Sequence, residues 1–166
     1  RGNFKQGHFT NGTCKIADIT YSGTFDEEGR LHGEDCRLIN DNTEYTGVFD
    51  HGILICGKTL VDGEEIESGK YTFTAPDKIP ILISGRKMLP DDSVMTGTYD
   101  EKGDLIRGSL ITHDSEYKGE FIAGSLMNGY MRNIVGSHIF EATYKTEYDQ
   151  SSGKYYIVEC SVKFDG

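Results

Sequence analysis

Five histidines, His8, His32, His51, His113 and His138, are the side chains best suited to proton transfer or metal binding near neutral pH. No two stand in a His-x-x-x-His pair, and each falls in a different stretch of the chain. His32 and His51 flank glycines, where a polar surface residue is expected. The four cysteines, Cys14, Cys36, Cys56 and Cys160, form no Cys-x-x-Cys pair and none lies beside a histidine at metal-ligand spacing. Four reduced thiols are the expectation, since a chain of 166 residues needs no disulfide staple. Asp26-Glu27-Glu28 and Glu64-Glu65 read as loop charges, because no further oxygen ligands follow at calcium-loop spacing. Asp91-Asp92 after Pro90 reads as a turn. There is no phosphate-cradling glycine loop and no nucleophile elbow. The sequence therefore predicts no catalytic residue, no metal ligand, no cofactor and no enzyme activity of its own. Asn11-Gly12-Thr13 matches a glycosylation acceptor pattern, which is short enough to arise by chance.

The elements that would position any site come from composition and periodicity. Glycine accounts for 21 of 166 residues, against about 7% on average. Tyr and Phe are plentiful and Trp is absent. Glycine with aromatics and few helix-forming segments predicts β-structure with many turns. The formal net charge of −10 argues against nucleic acid as a partner and disfavours docking to anionic lipid. No apolar stretch is long enough to cross a bilayer as a helix, and no signal peptide is visible. These features lead to the expectation of a cytoplasmic protein, with a nuclear location also compatible. The chain opens at Arg1 inside a repeat, which reads as a processed product or a fragment.

The repeat is the main signal. Tyr21-Ser22-Gly23-Thr24-Phe25 is followed by Gly29 and Gly33, and Tyr45-Thr46-Gly47-Val48-Phe49 by Gly52 and Gly57. Met95-Thr96-Gly97-Thr98-Tyr99 precedes Gly103 and Gly108, and Tyr117-Lys118-Gly119-Glu120-Phe121 precedes Gly124 and Gly129. The leading glycines Gly2, Gly23, Gly47, Gly69, Gly97 and Gly119 are spaced by 21, 24, 22, 28 and 22 residues. An aromatic follows each at plus two. Alternate positions put ring, glycine and ring on one face of a strand. The glycine leaves a hole that a ring from a neighbouring strand is expected to cover. The next glycine falls at the hairpin turn. A degenerate seventh unit begins at Phe140-Glu141-Ala142-Thr143-Tyr144, with alanine in the glycine place.

This pattern resembles the MORN repeat. Residues 117–124 and 45–52 match it at every marked place, and the resemblance covers about 1–140. It departs from the family where Cys14, Asp35, Thr59, Leu110 and Met131 replace a second-strand glycine, and in a worn fourth unit with Glu67 and Pro76. The resemblance implies an all-β, elongated, twisted antiparallel sheet of stacked hairpins over 1–140, with a closing hairpin or following segment over 141–166. It also implies a protein-interaction scaffold, with a helix or extended peptide as partner and a homo-oligomer compatible. The alternatives it carries are an accessory region of a larger enzyme, such as a SET-domain lysine methyltransferase or a lipid kinase, and a phosphoinositide or membrane-proximal adaptor.

Two readings of the aromatic stripe stay open, core packing and an exposed groove. The position two before the leading glycine accepts Glu67, so Tyr21, Tyr45 and Tyr117 are expected to be the accessible, partner-binding rings. Phe25, Phe49 and Phe121 are expected to pack. Ile79-Pro80-Ile81-Leu82-Ile83 is either a buried strand or an apolar contact. Burial is favoured, with Ile81 and Leu82 kept as contact candidates.

Overall fold

A computed structural model describes residues 1–74 and 79–165. Pro76 and the first residues of the stretch that lengthens the fourth unit, 75–78, lie outside the described residues. All described regular structure is strand, with no helix among the described residues. Fourteen strands form an antiparallel sheet in chain order, and the chain divides into two compact units, Arg1–Gly85 and Arg86–Gly166.

The first unit holds β1 (Gly2–Lys5), β2 (His8–Ile16), β3 (Ile19–Thr24), β4 (Gly33–Asn40), β5 (Thr43–Asp50), β6 (Ile53–Val61), β7 (Glu64–Thr74) and most of β8 (Ile79–Met88). The second holds β9 (Val94–Tyr99), β10 (Leu105–Ile111), β11 (Ser115–Ile122), β12 (Ser125–Val135), β13 (His138–Asp149) and β14 (Lys154–Asp165). Within each unit the strand contacts join neighbours in sequence, and among the described residues no second layer covers either face.

Turn chemistry sets the hairpins. Gln6-Gly7, His51-Gly52, Asp62-Gly63 and Ala123-Gly124 all have positive φ at both residues, the type I′ geometry that matches the twist of paired strands. Wider loops follow Phe25 and Tyr99. There Asp26 Oδ1 accepts from the backbone N–H of Glu28 (3.1 Å) and Arg30 (2.8 Å). Asp100 Oδ1 does the same for Lys102 and Asp104, both at 2.9 Å. One loop design is thus used twice.

The leading glycines face other glycines. Gly12 lies opposite Gly2 and Gly23, Gly57 opposite Gly47 and Gly69, and Gly108 opposite Gly97 and Gly119. A Cβ on Gly47 would fall onto the carbonyl oxygen of Cys56 and lie 2.6 Å from the Cα of Gly57. Partner backbone, not a neighbouring ring, fills the expected hole. Gly2, which would meet the Phe9 ring as well as the Asn11 carbonyl oxygen, and Gly23, which would meet Cys36 Sγ and Cα, differ. Two repeat positions depart from this pairing. The buried Cys36, rather than Gly33, lies opposite Gly47. Tyr144, rather than Ala142, lies opposite Gly129.

Between the glycine pair and the hairpin turn sits a one-residue bulge. Phe49 pairs with Leu54 and Val48 with Cys56, which leaves Ile55 extra. The same step leaves Ile106 and Met127 extra. A bulge reverses the alternation of side chains along its strand. It brings a leucine three residues before the second glycine onto the glycine face, opposite the plus-two ring. Leu54, Leu105 and Leu31 are buried with Phe49, Tyr99 and Phe25, and these pairs form the core. Phe4 lies on the terminal strand β1 and is 69% exposed.

The last hairpin runs from His138 to Asp165, slightly earlier than the expected start. β14 pairs with β13, comes last in the strand order, and is exposed along its length.

Candidate functional site

Register aligns the residue two before each leading glycine into a row. In the first unit Cys14 lies opposite Tyr21, Tyr21 opposite Leu38, Leu38 opposite Tyr45, Tyr45 opposite Thr59, and Thr59 opposite Glu67. In the second unit the row is Met95, Leu110, Tyr117, Met131, Ala142 and Val162. Most of these side chains are half-exposed; Thr59 and Ala142 are buried and Val162 is exposed.

The opposite face carries charge. Arg37 pairs with Glu44, Lys58 with Glu65, and Arg107 with Glu120. Glu116, Arg132, Glu141 and Lys163 stand opposite one another in alternating sign across four strands. Exposed pairs of this kind add little to stability, because water and salt screen them. They mark a solvated face, opposite the ring-bearing one.

On that face the first unit has a groove of about 290 Å³ lined by Cys14, Ile16, Tyr21, Leu31 and Leu38, with Arg30 and His51 at its rim. Tyr21 is therefore a groove residue as well as a row residue. Tyr45 lies farther along the row. Burial pushes its phenol pKa up, and Glu67 adds to the shift. Tyr71 behind them is buried, and its hydroxyl accepts from Thr59 Oγ1 at 3.2 Å. Burial is the main cause that pushes its pKa to about 12, with Glu67 and Glu65 adding to it against the Thr59 hydrogen bond.

The expected contact residues divide. Tyr21, Tyr45 and Tyr117 are half-exposed and point onto one face within their units, while Phe25, Phe49 and Phe121 are buried. Ile81 is half-buried. Leu82 is 3% exposed and out of a partner's reach. It stands three before Gly85, the place that Leu54 holds before Gly57, and Gly85 backs onto Gly69. Leu82 is therefore the core leucine of the fourth unit. The spacing Leu-x-x-Gly, seen also at Leu105 and Leu126, is the sequence signal that identifies it. All four cysteines are free. No helix among the described residues is long and apolar enough to cross a membrane. No family model matches the chain, and no curated protein matches its sequence.

Proposed function

We propose that this chain is a protein-binding or scaffolding module of the MORN-repeat type, without catalysis of its own. Its half-exposed ring row takes a helix or an extended peptide. The observation that supports this reading is the asymmetry of a single-layer sheet. One face carries Tyr21, Leu38 and Tyr45 above a groove, the other carries ion pairs, and no described element covers the first. Aromatic and aliphatic rows of this kind suit the apolar stripe of an amphipathic helix or the alternate side chains of a strand. The negative net charge favours partners with basic flanks over anionic lipid or nucleic acid.

Selection from a random peptide library, followed by NMR mapping of the selected peptide on labelled protein, tests the reading. Shifts should cluster at Tyr21, Leu38 and Tyr45, and Tyr21→Ser should weaken binding. Shifts confined to Arg37, Glu44, Lys58 and Glu65 would place binding on the wrong face and refute the proposal.

A further inference from the structure

His32 and His51 belong to different repeats, yet pairing of β4 with β5 sets their turns side by side, with Gly33 opposite Phe49. Their rings lie 4.9 Å apart at 34°. Asp50 Oδ1 sits 3.2 Å from His32 Nδ1 and 3.6 Å from His51 Nε2. One donor atom from each of the three residues falls within 4.8 Å of the other two. Ligands about 2.0–2.1 Å from a tetrahedral zinc ion are roughly 3.3 Å from one another. Two of the three separations already bracket that value. Two imidazoles and one carboxylate form a set suited to zinc, and three protein ligands leave one position open.

The contacts behind the ligands fit the same chemistry. His51 Nδ1 lies 2.8 Å from Asp26 Oδ2, and the Asp26 side chain is only 7% exposed. A metal-bound histidine commonly donates its other ring N–H to a carboxylate, which fixes the tautomer and the ring. Arg30 Nη2 also approaches His51 Nδ1, at 2.9 Å. Arg30 can only donate, so a protonated Nδ1 bonds Asp26 and leaves Arg30 to Asp26 and Glu28, each at 2.8 Å. His32 Nδ1 meets the backbone N–H of His51 at 3.4 Å, a long contact that coordination would replace.

A second set, Asp26, Glu28 and His51, has donor atoms within the same reach. Arg30 is bonded to both of its carboxylates, so a cation there would face a guanidinium. In the His32 set Arg30 bonds no ligand carboxylate and approaches only Nδ1 of His51, the ring nitrogen turned away from Asp50.

We propose that His32, Asp50 and His51 bind one divalent transition-metal ion of the zinc class, with Asp26 orienting His51. The ligands are about half exposed, so the site is a surface site; only His51 among them also lines the groove, and the site's existence does not depend on what the groove binds.

The test is calorimetric titration of Zn²⁺ into the full chain at pH near 7.5, on a Cys14→Ser, Cys56→Ser, Cys160→Ser background that removes the accessible thiols. His51 occupies a turn at φ 47, so His32→Ala and Asp50→Asn are the preferred variants, with circular dichroism to verify folding. One equivalent should bind, and each variant should lower affinity at least about tenfold. Asp26→Asn should weaken binding by about ten- to a hundredfold, while His113→Ala should leave it unchanged. Absence of binding up to about 1 mM Zn²⁺, or an isotherm that neither His32→Ala nor Asp50→Asn alters, overturns the site.

Discussion

Gly47 and Gly57 stand directly opposite each other in neighbouring strands, with the Cα of Gly57 2.6 Å from where a Cβ on Gly47 would lie. Gly47 has φ 143, a region that side chains rarely adopt. The strain alone costs about 1–3 kcal/mol, and the clash with rigid backbone adds to it. Gly47→Ala should therefore destabilise by more than about 3 kcal/mol or prevent folding. Gly63, at φ 85 in a turn with open space beside it, should accept Asn with little loss. Thermal melts of the two variants check this contrast.

The bulge makes a second contrast between chain neighbours. Leu54 is buried against Phe49, whereas Ile55, the extra residue, is 42% exposed. Leu54→Ala should cost about 2–5 kcal/mol and Ile55→Ala less than about 1 kcal/mol. Urea denaturation measures both. Similar losses would show that the bulge does not place Leu54 as described.

Tyr71 gives the fold a signature at alkaline pH. Its folded pKa, pushed by burial to about 12, lies above its ordinary value of 10.0. A phenol whose pKa is raised on folding contributes stability that is complete below the unfolded value and lost as pH rises through the folded one. Stability should fall between about pH 10 and pH 12, with a tyrosinate absorbance step at the upper end. Tyr71→Phe should remove that step from the absorbance titration and flatten this part of the stability profile. A Tyr71 phenol that ionises near pH 10 would contradict its burial.

Much of this architecture was legible in the residues. The leading glycines, the plus-two rings and the turn glycines give the hairpins, and the Glu67 substitution separates the accessible rings from the packed ones. The glycine-to-glycine pairing was hidden because it depends on register between hairpins, which strand-by-strand reading does not fix. The bulge was hidden for a related reason. Strict alternation places Leu54 on the opposite face from Gly57, and only an extra residue restores it. Leu82 was ambiguous for the same cause until Leu-x-x-Gly is read as a unit. His32 and His51 are 19 residues apart in the sequence, and only the pairing of β4 with β5 makes them neighbours.

β14 comes last in the strand order, with Tyr155, Ile157, Val162 and Phe164 exposed. Exposed apolar edges template pairing with other chains. The protein should self-associate with rising concentration, and Ile157→Lys should reduce that association in sedimentation velocity runs. Unchanged association in the variant would show that the edge takes no part.

On one face Phe25, Phe49 and Phe121 are buried while Tyr21, Tyr45 and Tyr117 stay partly exposed, the division on which the proposed function rests. Measuring the denaturant stability of six variants, Phe25→Ala, Phe49→Ala, Phe121→Ala, Tyr21→Ala, Tyr45→Ala and Tyr117→Ala, tests it most directly. The phenylalanine variants should each lose about 3–5 kcal/mol, and the tyrosine variants distinctly less, about 1 kcal/mol. Equal losses in the two sets, or larger losses among the tyrosines, would contradict the account.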